Sequence, residues 1–330
     1  MCHPHIVCMG DYRELLTNAA QQIEEGLHLG ENVTVPKSTR RIIFCGMGGS
    51  GIIGDVMERI LQQYQLEVFI CKTYALPTHL LTSNTLVVVI SYSGNTVETA
   101  TCYRTALKAK AKILVAASGG SILSSAMRQK IPCIHLTEGY LPRQSFLLMF
   151  FSLLQALVNS DIIPNQTTAI NEFRGYLDTY PFARRSNAIA KSIEDGMPIV
   201  YTSPDLWAAG LRWKTQINEN CKKLCIANSF TELNHNEIEG FDRQLKKHSM
   251  VILCRQREPK IVSSNIEVFC QLVRSQVDAL KLYEMPGRSL LCALLVGIHL
   301  GDWVSYQLAE MNKVDPDDMT LITQLRMKVS

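Results

Sequence analysis

The chain is short of net charge. Its 33 lysines and arginines against 30 aspartates and glutamates leave a formal +3 over 330 residues. That balance speaks against the basic field of a nucleic-acid-binding or membrane-surface protein. No run reaches the roughly 18 apolar residues that a spanning helix needs, and the apolar stretches at residues 146–158 and 290–300 read as buried core helices. The start, Met1-Cys2-His3-Pro4-His5, lacks the basic-then-apolar pattern of a signal peptide, so a cytoplasmic chain is expected. No G-K-S/T sequence is present, which removes a nucleotide triphosphate loop. Metal-type residues cluster closely only at Cys2, His3, His5 and Cys8, at a terminus where fraying is common. No metal and no cofactor are therefore expected. The eleven cysteines are odd in number and scattered through apolar stretches such as residues 43–45 and 291–293. They read as reduced core thiols, not a disulfide framework.

What is present fits a globular protein of two domains: 47% apolar residues, 19% charged, and enough length for a substantial core. Helical spacing over residues 10–28 is followed by apolar strands at 42–45, 66–71, 86–90, 112–117 and 131–136, each pair separated by a helix or a short Gly/Ser loop. Such alternation predicts a doubly wound parallel sheet. Residues 159–190 turn polar and helical, with Pro164 and Pro181 as punctuation. A second alternating series starts at residue 197 and closes with a long apolar helix over about 288–311 and a last short helix. The expected division is 1–158, a helical connection at 159–193, and 194–330. The halves look like a degenerate duplication with the glycine loops kept on one side, which suggests one site between two domains.

Residues 91–96, Ser-Tyr-Ser-Gly-Asn-Thr, follow the buried strand at 86–90 and precede a helix. Hydroxyls, a glycine and a helix start at a strand end make an anion cradle, because the first N–H groups of a helix are unsatisfied and its dipole favours negative charge. Asn95 and Glu98 have the form of a capping box. The same residues also suit an ordinary strand-to-helix turn. Residues 46–51 spell G-x-G-x-x-G, but a dinucleotide fold also wants a carboxylate at the end of the second strand, and residues 70–73 read Ile-Cys-Lys-Thr. Two Ser/Gly loops at neighbouring strand ends suit a single phosphate monoester on a small molecule. Gly49, Ser50, Ser91, Ser93 and Thr96 are the candidate contacts.

Residues 48–51 (Gly-Gly-Ser-Gly), 91–96 and Pro142-Arg143 together resemble sugar isomerase (SIS) domains. More narrowly, the chain resembles the bifunctional phosphoglucose/phosphomannose isomerase family, with Asn218-Glu219-Asn220, Asn234-His235-Asn236-Glu237-Ile238, Gly301-Asp302 and Val314-Asp315-Pro316 completing the pattern. The resemblance runs from about residue 10 to the end. It implies two flavodoxin-like SIS domains, a sugar phosphate substrate, no cofactor, and a homodimer with the active site at its interface. By the same resemblance Glu219 is the base that moves a proton between C1 and C2, His235 assists ring opening from the partner subunit, and Arg143 stabilises the enediolate. Members carry a lysine in the last helix where this chain has Arg326, a possible further substrate contact that keeps the charge but not the compact ammonium.

Periodicity alone reads these residues otherwise. The apolar stripe of the helix from Pro204 is Leu206, Ala209, Trp213, Ile217, Cys221 and Leu224, which leaves Glu219 on the surface with Arg212, Gln216 and Lys223, the last as its i,i+4 partner. By composition His235 is a solvated loop histidine and Arg143 a loop brace. Three other classes stay open: a non-catalytic sugar-phosphate sensor, a nicotinamide dehydrogenase, and a metal-dependent isomerase.

Overall fold

The computed structural model describes residues 12–241 and 245–329, with the side chains of 245–247 and 329 outside that description. The Cys2, His3, His5 and Cys8 cluster lies outside the described residues. The chain divides into two compact units, 1–168 and 169–330.

The first unit has five parallel strands, β1 (Arg41–Cys45), β2 (Glu67–Cys71), β3 (Thr85–Ile90), β4 (Lys112–Ala117) and β5 (Cys133–His135), in the order β2-β1-β3-β4-β5. Its helices are α1 (Tyr12–Thr17), α2 (Ala19–Gly30), α3 (Gly48–Leu61), α4 (Val97–Lys108), α5 (Gly120–Arg128) and α6 (Phe146–Asn159). β3 is buried at every position, as its run of β-branched residues requires for a strand covered on both faces. Strand order reverses between β1 and β3, so the loops that follow them splay apart and leave a crevice at the carboxyl edge.

Two local expectations are corrected. The helix read over residues 10–28 is bent at Asn18 into α1 and α2. The strand read at 131–136 shrinks to Cys133–His135, because Pro132 has no N–H for the ladder and offers only its carbonyl, to Val115.

The second unit holds α7 (Thr167–Thr179, of which residues 167 and 168 belong to the first unit), α8 (Phe182–Ile193), β6 (Met197–Thr202), α9 (Trp207–Asn220), β7 (Ile226–Ser229), β8 (Leu245–Arg255), α10 (Lys260–Val273), β9 (Val277–Met285), α11 (Leu290–Asn312) and α12 (Thr320–Val329). Its sheet is again parallel, in the order β7-β6-β8-β9, with the reversal between β6 and β8. Both sheets are doubly wound and flanked by helices, the flavodoxin-like arrangement expected. α11 is 23 residues long and apolar enough to cross a membrane by composition, yet 94% of its most apolar window is buried inside the fold. It is a core helix.

The stripe of α9 is wider than periodicity suggests. Trp213 and Ile217 are buried as expected, but so are Arg212 and Gln216, at 1% and 0% exposure. α9 ends at Asn220, which leaves Leu224 77% exposed. The reason lies on α11. Asp302 is buried and takes both Nε and Nη2 of Arg212, at 2.9 and 3.1 Å, and Gln216 adds a side-chain hydrogen bond to the same carboxylate. Burial pushes the Asp302 carboxyl above its ordinary value, while Arg212 pulls the other way.

Candidate active site

At the carboxyl edge of the first sheet, three loops lock together. Ser91 Oγ donates to Thr96 Oγ1 at 3.1 Å, and Gly94 N–H closes back on the Ser91 carbonyl at 2.9 Å. Ser118 donates twice to the Tyr92 carbonyl, through N–H at 2.8 Å and Oγ at 2.7 Å, and Ile122 N–H donates to the Gly94 carbonyl at 3.0 Å. The Tyr92 ring runs inward, donating to Thr137 O at 2.7 Å and accepting Tyr140 N–H at 2.9 Å. Burial raises that phenol to about 12, so it stays a hydroxyl. One tyrosine therefore pins the loops after β3, β4 and β5 to each other.

The capping box expected at Asn95 and Glu98 does not form. Thr96 is the N-cap of α4 and makes no side-chain cap bond. Asn95 Oδ1 instead accepts Ser121 N–H at 2.9 Å, tying this loop to the start of α5. The starts of α3 and α5 also lack side-chain caps. At α5 the N–H groups of Ser121 and Ile122 are taken by Asn95 Oδ1 and the Gly94 carbonyl, so the uncapped helix starts that can face an anion are those of α3 and α4.

Gly94 makes the arrangement possible. Its φ is +64°, and a Cβ there would lie 1.8 Å from the Gly119 carbonyl oxygen. We expect Gly94→Ala to lose more than the roughly 1–2 kcal/mol of left-handed strain, because the clash also forces the two loops apart. Thermal denaturation together with phosphate binding would read both losses. Unchanged values of each would mean that the loops are not coupled through this contact.

The loop after β1 approaches from the other side of the strand reversal. Ser50 is 5% exposed, and its Oγ accepts Tyr92 N–H at 3.2 Å and lies 3.8 Å from Met149 Sδ. Its hydroxyl is engaged inside the unit. A Cβ on Gly49 would meet Arg143 N and Cα at 2.8 Å, so this glycine lets the turn that carries Arg143 pack directly on the loop. Arg143 is 2% exposed and sits in a turn before α6, not at its first residue. Ser91 is buried, Thr96 partly buried and Ser93 exposed. Gly49, Ser50, Ser91, Ser93, Thr96 and Arg143 thus share one loop cluster. Lys72, at the end of β2 where a dinucleotide site would need its carboxylate, pairs instead with Asp55.

In the second unit Glu219 lies in the last turn of α9, partly buried. It stands between two anchors: Asn220 Nδ2 donates to Ser305 Oγ on α11 at 2.8 Å, and Asn218 Oδ1 accepts Cys225 N–H at 3.0 Å. The i,i+4 pairing read from periodicity is not what Lys223 does. Its Nζ donates to the carbonyls of Ile193 and Glu194 at the entrance to β6, while Lys222 Nζ reaches the Glu219 carbonyl and Asp318 O at 2.5 and 2.7 Å. Glu219 therefore sits at the amino edge of this sheet.

His235 is exposed at the end of a 3-10 turn, Glu232–His235, that follows the carboxyl end of β7. Leu233, fully buried, roots the turn. Glu237 holds the next one by accepting Asn228 Nδ2 at 2.6 Å and the Tyr201 hydroxyl. The four residues of β7 separate the two positions, roughly 13 Å of strand. One copy of the second unit does not bring Glu219 and His235 together. Arg326 is exposed on α12.

The roles of Tyr92, Asn218 and Asn220 as anchors, and of Asp302 as the partner of Arg212, escaped the sequence reading. The residues Asn218, Asn220 and Asp302 stood in the motifs it singled out. Only their contacts were hidden.

Residues 37–158 match the SIS domain, and residues 182–329 match the bacterial phospho-glucose isomerase C-terminal SIS domain. A bifunctional phosphoglucose/phosphomannose isomerase of Thermoplasma volcanium is 32% identical, covering 93% of this chain and 99% of that one. A D-glucosamine-6-phosphate 4-epimerase of Sulfolobus acidocaldarius is 30% identical, over 88% of this chain and 89% of the relative. Among solved structures, a hypothetical protein of Thermus thermophilus shares the fold with a TM-score of 0.75 at 13% identity, over 99% of this chain and 91% of that chain. The chain belongs to the bifunctional phosphoglucose/phosphomannose isomerase family.

Proposed function

We propose that this protein is an aldose–ketose isomerase that interconverts glucose 6-phosphate, mannose 6-phosphate or both with fructose 6-phosphate through an enediol. The observation that carries the reading is the uncapped loop cluster at the strand reversal of the first sheet, in a chain of this family. Ser91, Ser93 and Thr96 and the open N–H groups of α3 and α4 hold the phosphate, with Gly49 keeping the backbone close and Ser50 bracing the loop beneath. Glu219 takes the proton from C2 of the aldose and returns it at C1. His235 protonates and deprotonates the ring oxygen system as the sugar opens. Arg143 offsets the charge of the enediolate as an oxyanion hole would. The reaction moves two protons and changes no net oxidation state of the sugar, so acid–base groups of the chain suffice. Arg326 is assigned to a further substrate contact.

The active assembly in this reading is a homodimer in which a second copy supplies His235. The separation of Glu219 and His235 at opposite edges of one sheet supports it, since proton transfer needs both within about 3 Å of one substrate or one water away. The domain roles follow: phosphate on 1–158, proton transfer on 194–330, and the helices of 159–193 as the connection.

The test is a coupled assay of fructose 6-phosphate formation from glucose 6- and mannose 6-phosphate with the purified chain. Tight binding without turnover would favour a sugar-phosphate sensor. Turnover of glucosamine 6-phosphate in place of the neutral sugars would favour an epimerase instead. Mixing inactive Glu219→Gln and His235→Ala chains tests the shared site: random reassociation restores up to about a quarter of wild-type activity if the two residues come from different copies. No recovery would place both in one subunit.

A further inference from the structure

Behind the loops of the first unit, three thiols from three elements converge. Cys45 ends β1, Cys71 ends β2 as its register partner, and Cys102 lies on α4. Their Sγ atoms all lie within 4.8 Å of one another, with Cys71 and Cys102 at 3.6 Å. Exposure is 0%, 6% and 1%. Among the described residues no other group of three His, Cys, Asp or Glu side chains converges in this way.

A core built only for packing would favour branched alkyl groups at three touching positions, as the rest of this face does with Val87, Val89 and Val115. Here the sulfurs face each other instead.

We propose that Cys45, Cys71 and Cys102 form a buried site for a soft d10 cation, Cu(I) above all. Thiolate ligands select Cu(I) and zinc among the first-row ions. Structural zinc is almost always four-coordinate, and this group offers three ligand atoms, which suits a trigonal ion. On binding, each remaining S–H gives its proton to solvent and each sulfur forms one metal–sulfur bond. No electron is transferred. The ion would join β1, β2 and α4 directly beneath the loop at residues 46–51, whose Gly46 N–H donates to the Cys71 carbonyl at 3.4 Å.

The test uses the reduced full-length chain, titrated anaerobically with Cu(I) against a competing chelator. We expect one equivalent bound, a thiolate-to-copper charge-transfer band and three sulfur neighbours by X-ray absorption. Cys102→Ser weakens binding by more than the roughly 10–100-fold that loss of an outer hydrogen-bond partner costs, and Cys2→Ser/Cys8→Ser leaves it unchanged. No stoichiometric uptake, uptake unaffected by Cys102→Ser, or a Cys71–Cys102 disulfide with copper released would each overturn the proposal. The stoichiometry and sulfur coordination measured on the unsubstituted protein keep the test independent of how any variant folds.

Discussion

Glu219→Gln should bind sugar phosphates with near wild-type affinity and turn them over about 100- to 10,000-fold more slowly, the range that a positioned proton-transfer group contributes. Glutamine keeps the shape and the hydrogen-bonding length of the side chain but removes its basicity. The two groups that flank it, Asn218 bonded to Cys225 N–H and Asn220 bonded to Ser305, are untouched by the change. The helix end should therefore stay where it is. Steady-state kinetics separates the outcomes: a fall in kcat at constant KM assigns Glu219 to the chemical step, a rise in KM at constant kcat assigns it to binding, and near-normal activity removes it from either role. The phosphate groups proposed for the first unit explain why binding should survive, since none of them belongs to α9.

Asp302→Ala should cost the second unit about 3–5 kcal/mol, the typical penalty for leaving one partner of a buried ion pair uncompensated. Arg212 is 1% exposed, and both Nε and Nη2 donate to Asp302. Taking the carboxylate away leaves a guanidinium that cannot lose its proton and has lost its counter-charge. The physical claim is that most of the penalty belongs to the stranded charge and little to the pair itself. It follows that Arg212→Met combined with Asp302→Leu should recover most of the loss, because two apolar residues of similar volume replace two desolvated ions. Denaturant titrations of the single and double variants decide this. A double variant as unstable as the sum of the singles would show that packing of the α9–α11 contact, not charge, is what Asp302 contributes.

The parallel, doubly wound sheets were legible in the sequence because a strand buried on both faces must be apolar throughout. The runs at residues 86–90 and 112–117 are that and little else, and they became β3 and β4 with the expected bounds or one residue more. Glycine loops could be found for the same kind of reason: Gly94 stands where φ is positive and a neighbouring carbonyl leaves no room for a Cβ. Periodicity misread α9, since it sorts residues by polarity and Arg212 and Gln216 are polar yet buried. A polar residue joins a core when a partner waits there, and the partner of Arg212 is ninety positions away. The capping box failed similarly: Asn95 had a competing donor, Ser121 N–H, that local spacing does not reveal.

By itself the sequence determined the class of fold, the strand-end position of residues 91–96, the absence of a ribose carboxylate at the end of β2, and, through its motifs, the family. These depend on local patterns of two to six residues, and the backbone obeys them wherever the chain goes. Only the tertiary structure decided which hydroxyls are spent inside the fold, with Ser50 turned to Tyr92 N–H and Ser93 left exposed. It also decided that Tyr92 joins three loops, that Glu219 and His235 occupy opposite edges of one sheet, and that three thiols distant in sequence meet beneath the loop after β1. Each of these is a contact between residues far apart along the chain. Such contacts follow from which strand ends lie side by side, and strand order is a property of the folded sheet.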